Sequence, residues 1–346
     1  MHRILGILIA AALAVPLVGP HAAEAARPRL HWRHVDVDTD QQFRGLDAVD
    51  ARTAWVGGSD GGVWRTTDGG RTWRDVSPRG TTGLLFRDVE ARSASEALVL
   101  AVGTGRHSRI YRTVDGGRTW STAFVNQEKS AFYDCLAMYP GGHDGLAMSD
   151  PVRGRFRILA THDGGASWRR VGPAGMPAAV DGEFGFAASG TCLVTSGRRN
   201  AYLASGGSAS RVFVSHDRGR HWVVRDSSIP ASAAGGVFSL AFRRGVGIAV
   251  GGDFEHPHRG DDASAYTHSR GRHWENGGDL SGYRSGVDWR AEDVAIAVGP
   301  SGSDVTRDGG RHWSRFSRLD LDAVQCVRGA CWGSGPEGVV VRLVKR

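Results

Sequence analysis

The chain is predicted to be all-β, a seven-bladed β-propeller, on three observations. A short phrase recurs six times, ending at Trp73, Trp120, Trp168, Trp222, Trp274 and Trp313. The copies lie 39 to 54 residues apart, a length that holds four short antiparallel strands and their hairpins. LHWRHVDV (Leu30 to Val37) resembles the strands that follow the phrase, with Trp32 at the tryptophan position, so the two ends of the chain can share a last blade.

The elements follow in order. Residues 1–25 read as a secretory signal peptide: a basic start at Met1 to Arg3, an almost wholly apolar run from Ile4 to Val18, and small residues at Ala23 and Ala25. The run is short for a membrane-spanning helix and no other segment could cross a bilayer, so an exported protein, periplasmic or secreted, is expected rather than an integral membrane protein. Residues 28–346 then read as one propeller. In the first blade FRGLDAV, TAWVGGS and GVWRTTD alternate apolar and small residues between glycine-rich turns, as short antiparallel strands do. After Trp313, LDAVQCV, ACWGSG and GVVVRLV supply three more strands, and the strand from Leu30 completes them. Six repeat-bearing blades and one shared blade make seven, and joining the termini in one sheet removes the open edges.

Each copy of the phrase reads as the hairpin between the third and fourth strands. Asp68, Asp115, Asp163, Asp217 and Asp308 can accept backbone N–H groups within their turns, and the glycines suit positive φ. In the fifth copy Ser269 replaces the aspartate. The tryptophans are expected to wedge between neighbouring sheets. A calcium reading of these turns is poor, since each offers one carboxylate and a hard cation wants six or more oxygens. The phrase resembles the Asp-box, or BNR repeat, of bacterial sialidases and of many propellers that are not sialidases. That resemblance implies a fold rather than an activity.

Four cysteines in an exported chain allow three pairings. Cys326 and Cys331 flank a four-residue turn and can bridge a hairpin; Cys135 and Cys192 fall at similar places on neighbouring blades, where a bridge and a small buried hydrophobe are equal readings. The formal net charge of +7 favours acidic glycans, anionic lipid headgroups or acidic patches of membrane proteins over nucleic acid as partners. There is no dinucleotide fingerprint and no CxxCH, so no cofactor is expected.

A propeller carries the loops between its second and third strands on the face opposite the repeated turns. The longest such loop here is GGDFEHPHRGDD, Gly251 to Asp262. At the start of the inner strands a second pattern recurs: Phe43-Arg44, Phe86-Arg87, Phe132-Tyr133 and Tyr283-Arg284. Equivalent placement would bring Arg44, Arg87 and Arg284, with Tyr133, to the central channel as an anion site. Alternatively, each arginine pairs with a carboxylate such as Asp88, Asp134 or Asp288. A glycoside hydrolase needs two carboxylates across a cleft, for which Asp150, Asp253 and Glu183, with Tyr133, are the candidates. Sialidases also gather three arginines, but their FRIP-like motif is missing, and their rings have six blades. His256 and His258 could ligate zinc, though Pro257 between them and the polar loop around them favour a surface reading.

Over nearly the whole mature chain, FRGLDAV, AWVGGSDGGVWRTTDGGRTW, AMSDPVRGRF, GVFSLAF and GYRSGV resemble the photosystem II stability/assembly factor-like propellers, the Ycf48-like group, with its exported bacterial relatives. The resemblance implies a non-catalytic assembly or stability factor that holds a membrane-protein intermediate on an arginine patch, and it carries that role to Arg44, Arg87 and Arg284. The oxidoreductase designation of some relatives has no motif behind it here. The expectation is an exported binding propeller for an envelope protein or an acidic ligand, with a sialidase-like glycosidase as the competitor.

Overall fold

The computed structural model describes residues 29–345; the expected signal peptide, residues 1–25, lies outside them. Seven antiparallel sheets form the ring, with inner strands Phe43–Ala48, Leu85–Ala91, Tyr133–Met138, Leu193–Ser196, Gly235–Arg243, Gly286–Trp289 and Ala323–Val327. In the last sheet the strand Leu30–His34 is the outer member, pairing with Val340–Lys345 from Leu30 opposite Lys345 to His34 opposite Val341. Trp32 takes the expected tryptophan place, its indole N–H donating to Ser303 Oγ of blade six at 2.9 Å. The seven-bladed fold and its closure by the first strand are therefore as the sequence predicts.

The repeated turns are built by their own side chains. In the first, Asp68 Oδ1 accepts the backbone N–H groups of Arg71 and Thr72, both at 3.0 Å, and Thr66 Oγ1 accepts that of Gly70. Hydrogen bonds from the Thr72 backbone and hydroxyl hold the Asp68 carboxyl at about 2, and Asp115 is held likewise by Thr119. Ser269 does substitute in the fifth turn, its Oγ accepting the His273 N–H at 2.9 Å. The residue after the acidic position donates its N–H to the turn between the first and second strands in all six blades, as Gly69 does to Arg52 and Arg270 does to Gly245. Trp73 and Trp120 donate their indole N–H to carbonyls of the preceding blade, Val35 and Val76; Trp168 and Trp222 donate to their own turns.

Side chains also clasp blade to blade around the channel. Asp47 accepts the Ala91 N–H, Asp88 that of Leu136, Ser239 that of Val287, Asp288 that of Cys326 and Gln325 that of Ala48. Between blades three and four the clasp is covalent: Cys135 and Cys192 form a disulfide, and Cys326 and Cys331 form the hairpin disulfide.

Blade five departs from the repeat. Its sheet has six strands, because Glu183–Phe184 pairs with Gly206–Gly207, which pairs in turn with the inner strand of blade five. The chain then crosses the channel on its way into blade four. Arg87 of blade two donates to Ala187 O at 3.1 Å, Ser189 Oγ donates to Ser285 O of blade six at 2.7 Å, and a Cβ on Gly190 would lie 2.5 Å from Asp88 Oδ1. Residues 187–190 are a plug that divides the channel into two cavities. The one toward the repeated turns, about 200 Å³, is lined by Asp47, Asp88, Glu90 and Asp288.

Candidate functional site

The other cavity, about 390 Å³, is the mouth of the channel on the face opposite the repeated turns. A β-bulge builds its rim. In blades one, two, three and five the inner strand slips by one residue against its neighbour, between Phe43 and Gly45, Phe86 and Asp88, Tyr133 and Cys135, and Val237 and Ser239. The extra residue leaves the pleat. Those residues are Arg44, Arg87, Asp134 and Phe238, and three of the four hydrophobes before them, Phe43, Phe86 and Tyr133, pack against aromatic rings.

This register corrects two expected residues. Tyr133 occupies the buried Phe43 position, against Phe124 with ring centres 5.3 Å apart, and burial pushes its hydroxyl up to about 12. It does not face the mouth. Arg284 also stands one place off. The backbone N–H groups of Phe43 and Arg284 donate to equivalent carbonyls of the preceding blades, Gly335 and Gly251, so Arg284 matches Phe43 and Ser285 matches Arg44. With 0 % exposure, Arg284 is enclosed by Asp304 at 2.7 Å, by the Ser281 and Ser301 hydroxyls and by the Tyr283 carbonyl. It is a structural ion pair. The ring of Tyr283 takes its place at the mouth.

Arg44 and Arg87 do meet there. Burial and then the Arg44 charge lower the Arg87 guanidinium to about 10. Arg44 Nε is buried with no hydrogen-bond partner, and its nearest carboxylate oxygen, Asp322 Oδ1, is 3.5 Å away. Asp322 also accepts from Gln42 at 2.8 Å; burial raises it to about 6, against the pull of Arg44. Opposite the arginines stands an aromatic wall. Phe186 and Phe238 stack at 3.7 Å, Tyr283 meets Phe238 at 4.6 Å, and Phe254, 48 % exposed, stands edge-on to both phenylalanines. Phe186 comes from the crossing segment, Phe238 from a bulge and Phe254 from the long loop.

The remaining candidates do not converge. Asp253 accepts from Ser232 at 2.7 Å and from the Glu255 N–H and lies 3.4 Å from His256; burial pushes its carboxyl up, but these bonds outweigh it and hold the group below the usual range. His256 thus serves the loop, and no group of three or more metal-type ligands occurs among the described residues. Glu183 is buried in an ion pair with Arg211 and accepts from Ser205 at 2.6 Å. Asp150 accepts the Gly185 N–H at 2.8 Å, and burial raises it to about 6. Its neighbour Asp134, the bulge residue of blade three, is raised well above the ordinary range by burial and then by Asp150. Sequence reasoning missed Phe186, Phe238 and Phe254 and gave Tyr283 no role at the mouth; the signal for Phe254 is its place as the lone aromatic of the polar loop Gly251 to Asp262.

A seven-bladed propeller with a blind, arginine-and-aromatic channel mouth is the class defined by fold and site. No family model and no curated protein matches the sequence. Among solved structures, the chain resembles "YCF48 bound to D1 peptide", with a TM-score of 0.65 at 14% identity over 96% of this chain and 100% of that one. It also resembles YCF48 from Cyanidioschyzon merolae, with a TM-score of 0.59 at 18% identity over 90% and 98%. The WD40 repeats of RRP9 give 0.62 at 11% identity over 92% and 98%. At these identities the likeness is one of fold.

Proposed function

We propose that this is an exported, non-catalytic propeller whose channel mouth binds an acidic peptide segment of a partner protein, and that it acts as an assembly or stability factor for an envelope complex. One observation carries the reading: two guanidinium groups crowd each other in a channel mouth walled by aromatic rings, of which Phe254 is exposed. Like charges held together at the rim of a cavity gain most from an anion between them, and a guanidinium takes a carboxylate bidentately. The wall offers apolar contact to the side chain next to that carboxylate. The peptide held by the YCF48 propeller supports a peptide as ligand here, and the apolar start of the chain supports export.

The test is calorimetric titration with acidic peptides taken from partners captured in an envelope extract. Arg44→Ala with Arg87→Ala should weaken binding at least tenfold, and Phe254→Ala by about three- to tenfold. Unchanged affinity in the double variant would sink the reading. A glycosidase reading draws on Asp150, whose raised carboxyl suits a general acid. It predicts turnover of an acidic glycan that Asp150→Asn abolishes.

A further inference from the structure

The opposite face of the ring carries a second feature, independent of the mouth. Only Lys129 and Lys345 among the 43 basic residues are lysine. Many of the arginines stand on the turns of blades four and five. In the six repeated turns the residue after the acidic position has φ between 58° and 82°. Four blades place glycine there, Gly69, Gly116, Gly164 and Gly309; blades four and five place Arg218 and Arg270. Arg244, in the turn that receives the Arg270 N–H, also has positive φ, at 50°. A left-handed conformation disfavours any side chain with a Cβ, and strain kept at adjacent turns is a reason to look for a function.

Two carboxylates lie beside these turns, Asp217 within the blade-four turn and Asp144 against Arg218, and the hollow between the turns has none. Arg198, Arg199, Asn200, His216, Arg270 and Arg272 line an open hollow of about 490 Å³ with no carboxylate among them. The one repeat that lacks its aspartate, at Ser269, stands beside Arg270. Arg218 reaches Asp144 at 3.0 Å, while Arg198, Arg199, Arg244, Arg270 and Arg272 are exposed and outside every ion pair found among the described residues.

We propose that this face of blades four and five docks on an anionic bilayer, with Arg198, Arg199, Arg218, Arg244, Arg270 and Arg272 meeting lipid phosphates. The guanidinium fork fits phosphate oxygens in pairs. The arginines stand on separate turn tips of two neighbouring blades at one end of the ring, so they address a field of anions in a plane and not one ligand in a cleft. Val114 and Val223, at 50 % and 44 % exposure, lie in or directly after repeated turns at the same end and can enter the headgroup layer. Docked this way, the ring presents the channel mouth away from the membrane.

Residues 29–346, whose ring is closed by its own first and last strands, are sedimented with phosphatidylcholine vesicles that do or do not contain phosphatidylglycerol. Binding is expected only to the charged vesicles and is lost as salt rises. Arg218→Gly with Arg270→Gly should weaken it about thirtyfold, since each arginine near a charged surface counts for about one factor of five. The melting temperature of that variant should hold or rise, because glycine relieves the positive φ. Should it fall, Arg198→Gln with Arg272→Gln, at turn positions without that strain, decides the same question by the same loss of binding. Arg44→Ala with Arg87→Ala should leave vesicle binding intact, which separates this surface from the mouth. Equal binding to both vesicle types, unchanged binding in the arginine variants, or capture of inorganic phosphate or a sulfated polysaccharide without the charged vesicles would each overturn the proposal.

Discussion

Replacing Arg284 by methionine leaves the Asp304 carboxylate buried without its counter-charge, and losing one partner of a buried pair costs about 3–5 kcal/mol. Denaturant unfolding should show that loss, and Arg284→Met with Asp304→Asn should recover part of it; a near-neutral single variant would refute the structural role of this ion pair. Gly190→Ala is the second test at this scale. A Cβ there meets Asp88 Oδ1, and the backbone has φ 79°, so the crossing segment should loosen and Tm should drop by several degrees. The pairing of Phe43 with Arg44 was legible in the sequence, and so was the meeting of Arg44 with Arg87. The slip at Tyr133 and Arg284 was not, because residues one place apart in a strand face opposite sides and the motif Tyr283-Arg284 looks identical in either register.

At the scale of the element, the repeated turn was readable because its hydrogen bonds are local. Asp68 and Thr72 lie four residues apart, and nothing distant is needed to close the hairpin. The bulges and the crossing segment were not readable, since a bulge is defined only against a partner strand and residues 187–190 are placed by blades two and six. Ser269→Asp should exchange the hydroxyl acceptor of the fifth turn for a carboxylate, which in the first turn takes two backbone N–H groups, and stabilise the fold by about 0.5–1.5 kcal/mol in a denaturant midpoint. The same variant should weaken capture by charged vesicles. The two disulfides should differ in weight. They close segments with sequence separations of 57 and 5, so chain entropy assigns about 4 kcal/mol to Cys135–Cys192 and about 2 kcal/mol to Cys326–Cys331. Serine pairs at each site, compared by unfolding, check the order.

For the whole molecule the carboxylates divide by pH into two sets. Burial raises Asp47, Asp150 and Asp322 to about 6 and Asp288 to about 7, and it also raises Asp88, Glu90 and Asp134 well above the ordinary carboxylate range. A raised carboxyl contributes stability that is complete below its unfolded value and is lost as pH climbs through the folded one. The turn aspartates Asp68, Asp115 and Asp163, held at about 2, contribute stability above their unfolded value that disappears as pH falls toward 2. Melting temperature should therefore rise from pH 8 to a maximum near about pH 5 and fall again in stronger acid. A flat profile between pH 5 and 8 would show that the channel carboxyls reach water.

Leu30 lies opposite Lys345, so the two ends of the described chain leave the ring at one spot on its rim. The polypeptide is linear, yet its architecture has no first blade. A short linker between residues 346 and 29 would make a circular chain with the same seven sheets, and new termini could be cut in any exposed turn between blades. Ring closure also needs the residues made first to wait for those made last. Until Val340–Lys345 is in place, the strand at Leu30–His34 has no hydrogen-bonded neighbour in its sheet, so the ring closes only when the chain meets its own beginning.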